Sequence, residues 1–259
     1  MEATIADLIS RVPQIPEERK RLEALSMIKD TLCKSPPLLS RFTNGILDAH
    51  RDPLVSVRKF VIEFVETCCK LDTLYVFRTL AVLPMIGQDR AAPLWKQLIT
   101  TATNLTSRTL RCVAQSRAPE AHNLMRTFND IKYLCLQGIE SNSEGVRTVS
   151  LKFYEIVILC LTSTSTDPSK TDSEFSLADV PLDHPALNTG VLRREGEDLF
   201  QRLIDIIVNG RLSAINFGLA LTCLSTIACE VRSNCSRFQR PHFLERVVPL
   251  FVKLPSRLP

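Results

Sequence analysis

Between Asp52 and Leu71 the apolar positions Val57, Phe60, Val61, Phe64, Val65 and Cys68 recur in steps of three and four, the signature of a helix with one buried face. The spacing predicts a helix over 52–71. Asp52 offers a capping carboxylate, and Pro53 loses no hydrogen bond at a first helical position, so a sharp turn should lead in. The period returns over Glu144 to Leu161 through Val146, Val149, Phe153, Ile156, Val157 and Cys160. It returns again through Leu199, Phe200, Leu203, Ile206 and Ile207. Short breakers separate such runs: Ser35-Pro36-Pro37, Asp52-Pro53, Leu71-Asp72-Thr73, Gly87-Gln88-Asp89, Ala118-Pro119, Asn142-Ser143 and Asn209-Gly210. They delimit five expected helix pairs.

Two helix starts share a finer pattern, Asp52 with Val57-Arg58 and Ser141 with Val146-Arg147, and a weaker copy is Asp89 with Leu94-Trp95-Lys96. The two clear copies lie 89 residues apart, which is two units of roughly 40 to 47 residues, the period of HEAT and armadillo repeats. The expected fold is therefore all-α, a superhelical solenoid of HEAT type forming one domain over 1–259. Asp52, Arg58 and Arg147 are assigned to a polar ladder between neighbouring units. The one long interruption, 162–187, falls inside the fourth pair and is rich in Ser, Thr, Asp and Pro. Its second half holds Phe175, Leu177, Val180 and Leu182, so partial order is expected.

Composition agrees with helices: of 259 residues, 45% are hydrophobic, only 6% aromatic and eight are glycine. The net charge of +4 arises from 32 basic and 28 acidic residues, too even a balance to draw in a phosphate backbone by bulk field. No apolar run reaches the eighteen residues of a membrane span, and the acidic start Met1-Glu2-Ala3-Thr4-Ile5-Ala6-Asp7 does not read as a secretory signal. Neither a membrane nor a small-molecule substrate is expected as partner. Nine cysteines, mostly inside apolar helical runs, read as reduced core thiols. Cys223, Cys229 and Cys235 with His242 are the best metal candidates, yet their six-residue spacing suits no familiar zinc site.

No dinucleotide loop, Walker loop, nucleophile elbow or zinc-hydrolase helix occurs, and the four histidines are scattered. No cofactor and no catalytic activity are expected. Asp183-His184-Pro185 could orient an imidazole as a general base, or could simply cap the next segment and stop the loop. Near the end, Arg232, Arg237, Arg240, His242, Arg246, Lys253 and Arg257 surround Phe238 and Phe243. Such mixtures of cations and rings serve RNA binding, although the same residues make an ordinary solvated surface with two core phenylalanines.

Several blocks resemble the N-terminal domain of symplekins, scaffolds of pre-mRNA 3′-end cleavage and polyadenylation. The first runs from Val57-Arg58-Lys59-Phe60 to Phe64, with Glu66 and Cys69-Lys70 following. The second is Gly145-Val146-Arg147-Thr148 with Leu151-Lys152-Phe153 and Glu155. In the third, Ser176-Leu177 and Val180-Pro181 lead into Asp183-His184-Pro185, then Leu192 and Glu195-Gly196. Ser213-Ala214-Ile215-Asn216 continues it. The resemblance covers most of the chain, is thinnest before Leu39 and between Leu94 and Asp130, and implies a fragment of a larger nuclear scaffold. The stretch Glu230 to Gln239 departs from the family in being longer and more basic.

The resemblance further implies that the domain binds and stimulates a phosphatase of the RNA polymerase II C-terminal repeats, alongside other cleavage and polyadenylation factors. Lys152 matches a lysine that symplekins use at this interface, and on a helical wheel it shares a side with Thr148 and Glu155, outside the core stripe. The competing reading is an RNA-binding HEAT module that uses the C-terminal basic cluster. A third is a transport-receptor-like adaptor.

Overall fold

The structure, a computed structural model, describes residues 2–162, 201–208 and 212–232. Every regular element among them is helical: α1 (Glu2–Arg11), α2 (Glu18–Cys33), α3 (Pro36–Leu47), α4 (Val55–Leu71), α5 (Leu74–Thr79), α6 (Val82–Ile86), α7 (Ala92–Gln115), α8 (Ala118–Ile139), α9 (Glu144–Thr162) and α10 (Ala214–Arg232). Residues 201–208 are helical as well, and single 3-10 turns occupy Val12–Gln14 and Asp48–Arg51. The fold class is all-α.

The long helices follow one another in a row, α2 against α4, α4 against α7, α7 against α9 and α9 against α10. Between them α3, α5, α6 and α8 carry the chain back along a second row, with α8 packed on both α7 and α9. One contiguous cluster of buried apolar side chains runs from Ile5 in α1 to Leu224 in α10. Phe64 in α4 and Phe153 in α9 are both fully buried and hold equivalent positions in the two sequence blocks. Phe153 meets Tyr154 edge-on at 5.4 Å between ring centres and Phe128 of α8 at 6.2 Å, geometries that aromatic quadrupoles favour.

The expected start of α4 needs correction. Asp52 does not cap the helix directly, because its Oδ1 accepts the Leu54 amide at 2.9 Å and closes a turn one step earlier. Pro53 lies within that turn, and the helix begins at Val55. The segment between Asp72 and Gly87 also divides into α5 and α6. Pro84 has no amide to give the Leu80 carbonyl, and the Leu83 amide takes that carbonyl instead at 3.1 Å, which tightens the chain between the two short helices.

Near the end of α8, Gly138 brings α8 close to α9. A Cβ at Gly138 would stand 2.2 Å from Ser150 Oγ, a distance no side chain tolerates. This close crossing sets the height of α9, the helix that carries the residues considered next.

Candidate functional site

The fourth residue of α2, Arg21, reaches the loop before α4 and binds Asp52 Oδ2 through Nη1 at 2.8 Å. It also donates to the carbonyls of Ile15, through Nε at 3.0 Å, and of Pro13, through Nη2 at 3.1 Å. The fourth residue of α4, Arg58, makes the same move to Asp89 Oδ2 at 2.6 Å. In both rungs the other carboxylate oxygen shapes the turn into the next helix, Asp52 Oδ1 toward Leu54 and Asp89 Oδ1 toward the Ala91 amide at 3.1 Å. Sequence reading missed Arg21, which lacks the valine that precedes Arg58 and Arg147. A fixed spacing from helix position four to the aspartate before the next long helix would have found it.

The next junction changes chemistry. Trp95 is the fourth residue of α7, and Ser141 stands three residues before α9, its Oγ accepting the Ser143 amide at 3.2 Å. Arg147, fourth in α9, has a buried Nε with no hydrogen-bond partner among the described residues. The matching position before α10, residue 211, lies outside them.

Thr148, Lys152 and Glu155 form one row along α9. The equivalent row of α4, 89 residues earlier, is Lys59, Glu63 and Glu66, and α7 satisfies it. Gln97 Nε2 donates to Glu63 Oε1 at 3.1 Å and to the Lys59 carbonyl at 3.4 Å. Glu66 accepts from Thr101 Oγ1 at 2.7 Å, Asn104 Nδ2 at 3.0 Å and Lys70 Nζ at 2.6 Å. Burial alone would raise the Glu66 pKa, but these hydrogen bonds and the Lys70 charge hold it below the usual value.

At α9 and α10 the partners are different. Thr148 Oγ1 lies 2.8 Å from Asn216 Oδ1 and 2.9 Å from the Glu144 carbonyl, so its hydroxyl is engaged within the protein. The α10 positions corresponding to Gln97 and Thr101 are Leu219 and Cys223, which supply no comparable side-chain donors. Lys152 is exposed and Glu155 half-buried, and neither has a hydrogen bond or ion pair among the described residues. Burial, with the Glu155 charge second, pushes the Cys223 thiol up to about 12, placing the carboxylate within electrostatic reach of the α9–α10 contact. The row thus sets, at a helix junction, an ammonium and a carboxylate that have no hydrogen-bond or ion-pair partner among the described residues.

Asp183, His184 and Pro185 lie outside the described residues, as does the 162–187 loop beyond Thr162. The basic cluster also lies outside them beyond Arg232, the last residue of α10. Of the metal candidates, Cys223 is buried and Cys229 is in α10, while Cys235 and His242 are not described. Among the described residues no group of three His, Cys, Asp or Glu could hold a metal, and no helix is long and apolar enough to cross a membrane.

These features define an all-helical protein whose long helices are tied by polar rungs and present a charged row on one member. Residues 92–257 match the Symplekin/PTA1 N-terminal family, and the chain belongs to it. It is similar to the mRNA cleavage and polyadenylation specificity factor complex subunit pta1 of Schizosaccharomyces pombe, with 25% identity over 111 residues, 42% of this chain and 17% of that protein. The matched stretch is thus well under two thirds of that relative. The family match includes the α9 row and the stretch between Leu94 and Asp130. It leaves out the block at Val57 to Lys70.

Proposed function

We propose that this chain is a protein-binding scaffold module of mRNA 3′-end processing, which engages and stimulates a phosphatase of the RNA polymerase II C-terminal repeats. Family membership and the name of the yeast relative support the processing role. In this reading 1–259 is one HEAT-like solenoid of five helix pairs, with 162–187 as its long loop. It acts in the nucleus, without catalysis or cofactor, among other cleavage and polyadenylation factors.

The observation that carries the interface is the contrast between two equivalent rows. In α4 the Glu63 and Glu66 carboxylates accept hydrogen bonds from α7, whereas in α9 the exposed Lys152 ammonium has no partner among the described residues. Three N–H donors on a flexible stem suit an acidic partner surface. Titration calorimetry of the folded chain against the phosphatase tests this. Lys152→Ala should weaken binding by about 1 kcal/mol or more, as loss of an interface anchor does, with stability within about 0.5 kcal/mol of wild type. Lys59→Ala should leave binding unchanged. Equal affinities for wild type and Lys152→Ala would remove Lys152 from the interface. Absence of phosphatase binding by the wild type, with salt-dependent RNA binding in its place, would overturn the reading itself.

A further inference from the structure

The polar rungs contain an unfilled place. At the first two junctions an arginine at helix position four meets an aspartate three residues before the next long helix. At the third, Trp95 holds the donor position, 5% exposed, and its buried Nε1 has no hydrogen-bond partner among the described residues. A buried indole N–H with no acceptor is costly. The acceptor position is held by Ser141, whose Oγ sits in the same turn as Asp52 Oδ1 and Asp89 Oδ1, taking the amide two residues on. At this rung a neutral serine stands where the first two carry a carboxylate, and the donor opposite it has no acceptor among the described residues.

Cations collect around this gap. The Arg90 guanidinium lies 5.5 Å from the Trp95 ring centre and donates to Gln137 Oε1 of α8 at 2.6 Å, four residues before Ser141. Lys96 Nζ stands 3.8 Å from where a Cβ on Gly145 would lie, in the first turn of α9, where free amides favour an anion. Glu140, Asn142 and Glu144 are exposed and Ser141 is half-buried, so a kinase that reads acidic flanks can reach the hydroxyl.

We propose that Ser141 is a phosphorylation site whose phosphate completes the third rung, accepting from Trp95 Nε1 and Arg90 and fastening α7 to α9. In the transfer the Ser141 oxygen attacks the γ-phosphorus of a nucleoside triphosphate. The Oγ–P bond forms, the bridging bond to the β-phosphate breaks and the diphosphate leaves, while the hydroxyl proton passes to the kinase. The product carries about −1.5 to −2 charge and three strong acceptor oxygens, against one carboxylate at each other rung. The inference stands on this junction and not on the identity of any partner.

The experiment uses the full chain with phosphoserine encoded at 141. Trp95 is the only tryptophan, so its emission and its indole N–H resonance report this place alone. Phosphorylation should move that resonance downfield, slow its exchange and raise Tm by roughly 2–4 °C. Trp95→Phe or Arg90→Gln should cut the Tm gain by half or more without abolishing folding. An unmoved indole resonance, a lower Tm, or a full gain in both variants would overturn the proposal. So would mass spectrometry showing the protein from its native cells unmodified at Ser141.

Discussion

Replacing Gly138 with alanine should destabilise the chain, although the same change in an open helix usually helps. The new Cβ would stand 2.2 Å from Ser150 Oγ, 3.2 Å from Ile99 Cδ1 and 3.4 Å from Ser150 Cβ. Ser150 cannot swing aside into water: it is fully buried, and its hydroxyl is bound to the Val146 carbonyl at 2.8 Å. Overpacking of this kind costs about 1–3 kcal/mol, against about 1 kcal/mol gained from helix propensity. A net loss of up to about 2 kcal/mol follows. Urea unfolding read by circular dichroism and Trp95 emission measures it. Ser150→Ala removes the offending oxygen, so the double variant should be more stable than Gly138→Ala alone, a coupling of about 1 kcal/mol or more. Gly218 in α10 is the control, since nothing lies within 4 Å of a Cβ there; Gly218→Ala should gain about 0.5–1 kcal/mol. If both glycine variants gain alike, the close α8–α9 crossing is refuted.

Arg21→Met should cost about 3 kcal/mol, because it strands the Asp52 carboxylate, whose side chain is only 9% exposed. Arg58→Met should cost less, since Asp89 is 39% exposed and water can replace its partner; equal losses in thermal melts would contradict the argument. Burial pushes the Cys68 and Cys69 thiols up to about 12 and about 11. The folded state therefore holds these protons more tightly than the unfolded chain, whose thiols titrate near 9.0. Their contribution is complete below that value and is lost as pH rises from it through the folded values. Unfolding curves measured from about pH 8 to about pH 11 should show this decline, smaller in Cys68→Ala and Cys69→Ala than in wild type.

The helices with strong periodicity were legible because burial on one face leaves its mark every three or four residues, as Phe60, Phe64 and Cys68 show. The start of α4 was less so, since Asp52 serves equally well as a helix cap or as the first residue of a turn. The break between α5 and α6 depends on where Pro84 falls against the Leu80 carbonyl, which letters alone do not weigh. For the site, a helical wheel put Thr148, Lys152 and Glu155 on one side. It could not show that Asn216 occupies Thr148 while Leu219 and Cys223 give Lys152 and Glu155 no hydrogen bond from α10 among the described residues. That difference arises between residues some 70 positions apart, brought together only by packing.

The two arginine–aspartate rungs also carry a direction in time. The arginine precedes its aspartate by 31 residues, so the cation leaves the ribosome first and waits for the carboxylate. At about 5–20 residues per second the delay is about 2–6 seconds, long beside the microseconds a helix needs to form. Each new turn therefore meets a finished anchor as it emerges, and the row can be laid down in order from its first long helix onward.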